Sequence, residues 1–497
     1  MKVLLGIDFG TGGCKVTAIA CDGTLLADAS VEYTTYHEHP GWSEQEPSDW
    51  YKAMCAALAK LAAKGVNLHD VAALSLDGST HNAVLLDDAM RPLRRTIMWT
   101  DQRATDECAE LKRDRGDEIF ATCYQMPAPT WTLPQLMWLR RHEPEIIART
   151  RHVLFVKDYV RFLLTDSAET DRIEAQGTLF FDMKASRWSD ELTALCGLRP
   201  DALPRLVEPT DCTGAVTARA ASETGLKEGT PVICGTSDSA VEDYGAGAVE
   251  PGDLIIKLAT AGNVNSMTAA AHPHPKTLTY AHVVPGMWYS VSATNAAALC
   301  QRWMRDTFFK DISAPDGRNL YNVMDEEAAQ SPIGAGGVMF HPYLQGERCP
   351  YWDADLRASF TGVSIASTRA DFCRSLLEGV AFSLRDCYGT LEEMGLDVKR
   401  IFLIGGGAKS ALWSDIVCNV FGKPAAVPSP ADASFGAALL AGVGTGVFAD
   451  AKSAVNQCLH LSAHLVPRPE AVEQYTALYA RYKAVHDALA PVYSKFS

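Results

Sequence analysis

The chain has 497 residues, 47% hydrophobic and 21% charged, and its 60 acidic against 45 basic side chains leave a net charge of −15. This is a globular mixture, long enough for roughly two to four domains, and it excludes a disordered chain. The acidic balance excludes a general nucleic-acid or anionic-membrane binder, but leaves open an anionic ligand held by local backbone donors.

The opening Met1-Lys2-Val3-Leu4-Leu5 is too short for a signal h-region, and no run reaches the roughly 18–20 apolar residues that span a bilayer. The most apolar stretch, Phe435 to Ala449, is broken by four glycines. The 14 cysteines are scattered without a Cys-x-x-Cys pair, and Asn-x-Ser/Thr sequons are absent, so reduced thiols in the cytoplasm are expected.

In chain order, Val3 to Ile7 reads as a buried strand, followed by a turn at Gly10 to Gly13 and a strand from Lys15 to Cys21. Asp22-Gly23 then signals a hairpin into Leu25 to Ala29, so the chain starts as a β-meander. Pro47-Ser48 opens a helix on which Trp50, Met54, Ala57, Leu58 and Leu61 recur at helical spacing until Gly65. A strand at Val71 to Leu76 runs into the polar cluster Asp77-Gly78-Ser79-Thr80-His81-Asn82, and helices, including Leu133 to His142, then dominate to about 165. The pattern restarts near 230 with the strand Pro231 to Cys234, the loop Gly235-Thr236-Ser237-Asp238 and a helix over Ser239 to Ala246. Past a glycine-rich boundary, Leu254 to Leu258, the turn Ala259 to Gly262 and the strand Asn263 to Met267 repeat the opening strand–turn–strand. A helix begins at Thr368, with Asp371 completing a capping box, and runs to Gly395, and the strand Arg400 to Ile404 ends in Gly405-Gly406-Gly407. We expect an α/β protein of two lobes, residues 1–246 and 247–497, each opening on a hairpin whose turn carries Gly and Thr.

Five groups of residues carry candidate chemistry. In Asp8-Phe9-Gly10-Thr11-Gly12-Gly13-Cys14-Lys15, glycines let backbone N–H groups approach a phosphate, Thr11 adds a hydroxyl, Asp8 can hold a metal ion and Lys15 adds positive charge; a plain glycine hairpin is the competing reading. Lys257 to Asn263 is the matching turn of the second lobe, and alone it reads as structural. Asp238, after a strand and before a helix, could take a proton from a substrate hydroxyl or could simply cap the helix. Gly405-Gly406-Gly407 exceeds what a turn needs and suits a flat ring or phosphate. The loop residues Thr80-His81-Asn82, Trp99 to Arg103 and Gly346-Glu347-Arg348 complete the set; there, Asp101 and Arg103 could be no more than a surface ion pair of little energetic worth. No Walker loop, H-E-x-x-H zinc motif or G-x-S-x-G elbow occurs.

The order of these segments resembles the FGGY carbohydrate kinases of the actin-like ATPase superfamily over nearly the whole length. The resemblance rests on Asp8-Phe9-Gly10-Thr11, Gly41-Trp42-Ser43-Glu44-Gln45, Trp99-Thr100-Asp101-Gln102-Arg103, Lys157-Asp158-Tyr159-Val160-Arg161, Gly346-Glu347-Arg348 and Leu403 to Ala408, with the signature Ala358 to Val363 through Asp371-Phe372 to Glu378. It implies a two-lobe actin-like ATPase (ribonuclease H-like) fold with a central cleft for ATP and sugar, and ATP- and Mg²⁺-dependent phosphorylation of a sugar hydroxyl. The likeness is strongest to members acting on D-xylulose, so D-xylulose 5-phosphate is the expected product. Another ketose, a polyol, a deoxy sugar or a quorum-signal molecule are the alternatives, and an actin-like ATPase switch or a catalytically weak sugar sensor those of another class. By position, the resemblance makes Asp238 the catalytic base and Asp8 the Mg²⁺ organiser. Gly10, Thr11, Gly13 and Lys15 would hold phosphates, with Thr260 and Gly262 facing the γ-phosphate. Gly405, Gly406, Gly407, Ser434, Phe435 and Gly436 would line the adenosine site, and Thr80, His81, Trp99, Asp101 and Asp238 would surround the sugar. The chain departs from the family pattern at Thr80-His81-Asn82, Ser239, Ala259-Thr260-Ala261-Gly262 and Gln135. Neither nucleic acid nor a membrane is an expected partner, and a homodimer is compatible with the resemblance.

Overall fold

A computed structural model describes residues 2–312, 314 and 318–495. The chain divides into two compact units, one of Met1–Val249, Tyr280–Gly286 and Pro430–Leu459, the other of Glu250–Thr279, Met287–Ser429 and His460–Ser497. The chain first passes between units at 249–250, close to the expected boundary of 246–247, and residues 280–286 and 430–459 belong to the first unit.

The first unit is built on a six-stranded sheet. Its opening meander is β1 (Val3–Gly10), β2 (Gly13–Ala20) and β3 (Leu25–Glu32), as the alternating apolar pattern and Asp22-Gly23 predict. Helix α1 (Pro47–Ala63) follows, and β4 (Val71–Gly78) then lies parallel to β1. Helix α2 (Val156–Thr165), β5 (Cys212–Ala215), β6 (Pro231–Ile233) and α3 (Asp238–Gly245) complete this stretch. The sheet order is β5-β6-β4-β1-β2-β3. Between β4 and α2 the chain is largely helical, as expected, with one short antiparallel pair, Ala83–Leu86 on His152–Phe155.

The second unit repeats this plan. A hairpin of β7 (Asp253–Leu258) and β8 (Gly262–Thr268) opens it. Strands β9 (Leu278–Ala281) and β10 (Trp288–Thr294) follow, with β10 antiparallel to β8. The capping box of Thr368 and Asp371 starts helix α4 (Arg369–Glu393) where the sequence places it. Strand β11 (Arg400–Ile404) lies parallel to β7, as β4 does to β1. Helix α5 (Ala411–Phe421) and β12 (Ala425–Pro428) come next, then α6 (Ala433–Gly444) of the first unit, β13 (Leu461–Leu465) and α7 (Pro469–Tyr493). The order is β9-β10-β8-β7-β11-β12-β13.

Strand periodicity decides what faces what in the first unit. Val3, Leu5, Ile7 and Phe9 share a core with Trp50, Met54, Leu58 and Leu61 of α1, each worth about 1.5–3 kcal/mol of burial. Leu4, Gly6 and Asp8 therefore occupy the opposite face. That face receives α6, which comes so close that a Cβ at Gly6 would stand 1.8 Å from the Ser434 carbonyl oxygen. The small residues Ser434 and Ala438 on the facing side of α6 permit this approach. No helix among the described residues is long and apolar enough to cross a membrane.

Candidate active site

In the first unit, parallel pairing sets Asp8 of β1 directly beside Asp77 of β4. A parallel bridge between Gly78 and Ser237 brings the start of α3, and so Asp238, to the ends of these strands. Asp238 is the first residue of its helix and half-buried, and one of its oxygens accepts the Ser239 N–H at 2.7 Å. The N-cap position itself belongs to Ser237. Burial first, and then the charges of Asp238, Asp432 and Glu242, push Asp8 up to about 7. Burial and Asp8 push Asp77 well above the ordinary carboxylate range. Asp8 Oδ1 and both Asp77 oxygens are buried without a hydrogen-bond partner.

Among the described residues, no three His, Cys, Asp or Glu side chains form a cluster that could hold a metal ion. A metal cage made by protein alone is thus lacking there. Two carboxylates in register, carrying three orphaned oxygens, fit a cation that keeps waters and takes its remaining ligands from phosphates, as Mg²⁺ does.

The first hairpin turn is held from outside. The Thr11 carbonyl accepts Gln45 Nε2 at 2.7 Å, and Gln45 Oε1 accepts the indole of Trp50 at 2.9 Å. The Thr11 hydroxyl accepts Trp99 Nε1 at 3.0 Å, and Tyr33 donates to the Gly10 carbonyl. Gly13 is glycine for packing, because a Cβ there would meet the Val31 carbonyl oxygen at 2.7 Å, whereas Gly10 and Gly12 have room. Lys15, expected to add positive charge near the turn, is ion-paired. Its ammonium lies 2.7 Å from Asp432 and 3.4 Å from Asp28, and these carboxylates outweigh partial burial and raise its pKa.

The loop residues separate. Trp99 is 40% exposed. Asp101 is fully buried, and both of its oxygens are engaged: Oδ2 accepts the Ser43 N–H at 2.6 Å and Arg103 Nη2 at 2.8 Å, and Oδ1 accepts Arg103 Nε at 2.9 Å. Arg103 also pairs with Glu44 at 2.8 Å and lies 3.6 Å over the Trp42 ring. Asp101 is therefore neither a weak surface pair nor open to a sugar; it locks two of the resemblance segments, 41–45 and 99–103, to each other. His81 is 5% exposed with φ +54°, lies tilted at 39° against Trp131 with ring centroids 4.7 Å apart, and is held down to about 3 by burial, so its ring is neutral. Its Nδ1 is buried without a partner. Thr80 beside it is half-buried.

Sequence reasoning singled out neither Glu174, which accepts the His81 backbone N–H at 2.6 Å, nor the pairing of Asp77 with Asp8. The strand-end position of Asp77, matching that of Asp8, was the available signal. Glu174 sits in an unremarked helix and left none. The Lys157–Arg161 segment forms a buried base: Lys157 lies 2.6 Å from Asp158 and 2.8 Å from Asp171, and Arg161 lies 3.3 Å from Asp158.

Ser434, Phe435 and Gly436, which the resemblance puts at the adenosine site, are packed inside the protein. They belong to the first unit and are buried in α6, with Ser434 Oγ 2.6 Å from Thr17 Oγ1. A Cβ at Gly436 would stand 2.2 Å from the Val241 carbonyl oxygen.

In the second unit, the turn between β7 and β8 leaves Thr260 exposed and uses its carbonyl to accept the Ala297 and Leu299 N–H groups at 3.0 and 3.2 Å. Gly262 is buried against Leu384, Thr294 and Ala297. The glycine run lies beside this turn. A Cβ on Gly405, whose φ is +86°, would meet the Leu258 carbonyl oxygen at 2.7 Å, and one on Gly407 would meet the Trp413 ring at 2.7 Å. Gly406 is exposed with nothing within 4 Å. Two of the three glycines therefore serve packing and one offers bare backbone outward. Glu347 is 3% exposed and accepts the Thr294 hydroxyl at 2.5 Å and the Asn295 N–H at 2.8 Å, which makes it a loop anchor.

Two family models match: the N-terminal domain of the FGGY family of carbohydrate kinases over residues 3–245, and its C-terminal domain over 260–445. The xylulose kinase of Bacillus subtilis is 32% identical, covering 98% of this chain and 97% of its own. The xylulose kinase of Escherichia coli is 32% identical over 84% of this chain and 85% of its own. The crystal structure of the xylulose kinase from Rhodospirillum rubrum is 30% identical and superposes with a TM-score of 0.90, covering 99% of this chain and all of that one. With its two-domain actin-like architecture, the chain belongs to the FGGY family of carbohydrate kinases, phosphotransferases with an alcohol group as acceptor.

Proposed function

We propose that this kinase transfers the γ-phosphate of ATP to D-xylulose, giving D-xylulose 5-phosphate. The convergence of Asp238 on the Asp8–Asp77 pair carries the reading, because it sets a proton acceptor beside a cation site at the ends of adjacent strands. Support for the sugar comes from relatives named xylulose kinase at about a third identity over nearly the full length.

In this reading Asp238 takes the proton of the attacking hydroxyl as the new O–P bond forms and the bond to the departing ADP oxygen breaks. Asp8, with Asp77, would hold Mg²⁺, which when bound neutralises charge on the phosphates. Gly10, Thr11 and Gly13 present the first turn to phosphate, Thr260 and Gly262 the second, and the Gly405 to Gly407 run offers the adenosine surface through the exposed backbone of Gly406. Thr80, His81 and Trp99 face the sugar. The neutral His81 ring, with Nδ1 lacking a partner, suits a hydroxyl better than a charged group. We place the enzyme in the cytoplasm, a reading supported by 14 free cysteines.

The test is an ADP-coupled assay with D-xylulose, D-gluconate, glycerol and D-ribulose as acceptors. Saturable turnover with D-xylulose, at a kcat/KM at least about tenfold above the others, is expected; discrimination of that size corresponds to about 1.4 kcal/mol of transition-state binding. Preference for another acceptor would overturn the substrate, and turnover no higher than background ATP hydrolysis would favour the ATPase-switch reading.

A further inference from the structure

Thr80 and His81 carry no sequence feature that would fix their orientation, yet His81 stands at φ +54°, a left-handed conformation unusual for a residue with a Cβ. Three neighbours over-determine it. Glu174 Oε1 accepts the His81 backbone N–H at 2.6 Å, the Thr132 hydroxyl donates to the His81 carbonyl at 2.5 Å, and Gly177 has no side chain where the His81 ring and the Thr80 hydroxyl lie. A Cβ at Gly177 would stand 2.9 Å from His81 Cδ2 and 3.2 Å from Thr80 Oγ1.

The support beneath Glu174 is a chain of hydrogen bonds and an ion pair. Glu174 lies in the short helix Arg172–Gln176, capped by Asp171, whose Oδ1 accepts the Ile173 and Glu174 N–H groups at 2.9 and 3.1 Å. Asp171 is itself fixed by Lys157 at 2.8 Å and by the Thr236 hydroxyl at 2.7 Å. Glu174 is 1% exposed, and its second oxygen is buried without a partner. A carboxyl is an expensive group to bury half-satisfied where an apolar side chain would pack. Among the described residues, its side-chain hydrogen bond runs to the residue that the sugar reading puts against the substrate.

We propose that Glu174 is a positioning residue for sugar recognition, which fixes the His81 ring and the Thr80 hydroxyl by holding the His81 backbone N–H. The inference rests on the sugar-kinase reading above. It concerns the geometry of the acceptor side alone, so it separates binding of sugar from binding of ATP.

The experiment measures KM and kcat for D-xylulose and KM for MgATP in the wild type, E174A, E174Q and G177A. Glu174→Gln keeps an acceptor oxygen for the His81 N–H, Glu174→Ala removes it, and Gly177→Ala pushes on His81 and Thr80 while leaving the carboxyl in place. Displacement of a recognition group by a fraction of an ångström to one ångström should raise the D-xylulose KM about 10–100-fold in E174A and G177A, with kcat and the ATP KM within about threefold of wild type. E174Q should stay within about threefold of wild type in all three constants. An unchanged D-xylulose KM in G177A and E174A, a parallel rise in the ATP KM, or E174Q behaving as E174A would overturn the proposal. Should E174A fail to fold, G177A and E174Q decide. A wild-type enzyme inactive on D-xylulose fails the substrate reading instead, an outcome distinct from an active enzyme whose KM ignores these substitutions.

Discussion

The indole N–H of Trp99 donates to the hydroxyl of Thr11 at 3.0 Å, joining the loop expected to face the sugar to the turn expected to face the phosphates. Trp99 is 40% exposed, and this bond is a polar tie on its ring. A neutral hydrogen bond of this kind is worth about 0.5–1.5 kcal/mol. Trp99→Phe and Thr11→Val should each lower kcat/KM, and the double variant should lose less than the sum by about that amount. A double-mutant cycle on kcat/KM measures the coupling, and strictly additive losses would show that the two groups act independently.

Asp101 gives the opposite kind of prediction. Its side chain and that of Arg103 are both buried and joined by two side-chain hydrogen bonds, so removing Asp101 leaves the buried guanidinium with Glu44 as its remaining counter-charge and the Ser43 N–H without its acceptor. Asp101→Ala should destabilise the first unit by about 3–5 kcal/mol, seen as a lower urea midpoint. A residue that touched sugar would instead lose activity and keep its midpoint.

The glycine run separates packing from binding. Gly407→Ala drives a methyl group into Trp413 and Leu258 and should cost about 1–3 kcal/mol of stability. Gly406→Ala meets nothing and should leave the midpoint unchanged. If the adenosine lies against Gly406, that variant should raise the ATP KM by about tenfold, the size of effect a displaced contact produces. Thermal unfolding and ATP kinetics on the two variants check both halves.

Much of this was legible in the sequence because it is local. The hairpin at Asp22-Gly23, the Trp50-to-Leu61 stripe, the Thr368–Asp371 capping box and the Arg400–Ile404 strand are set by neighbours within a few residues, and they stand where the pattern puts them. What stayed hidden depends on partners far along the chain. Lys15 looks like a free cation until Asp432, more than 400 residues away, is placed at 2.7 Å. Ser434, Phe435 and Gly436 enter as ligand residues through the resemblance alone, and only the fold shows Ser434 packed on Gly6 and Gly436 on Val241. Glu174 left no trace at all, since its partner is a backbone N–H.

Buried histidines predict a pH dependence. His341 is 1% exposed, stacks on Tyr482 at 4.2 Å and is lowered from 6.5 to about 4, chiefly by burial. Between those values the unfolded chain binds a proton that the folded chain refuses, so this residue lowers stability as pH falls, by up to about 1.4 kcal/mol per pH unit. Asp8, raised to about 7 from 3.8, acts in the opposite sense over part of the same range, so the comparison must be made against a variant. The stability advantage of wild type over His341→Gln should shrink steadily from pH 7 to pH 4.5 in urea titrations. A difference independent of pH would show that His341 titrates normally in the folded protein.

The central claim is that Asp238 accepts the hydroxyl proton. It is tested most directly by the sugar-dependent kcat of Asp238→Asn at saturating D-xylulose and MgATP, with ATP affinity measured alongside. The account predicts a fall of about 10²–10⁴ in kcat, the usual scale of general-base catalysis, with ATP binding within a few-fold of wild type. Near-normal turnover in that variant would contradict it.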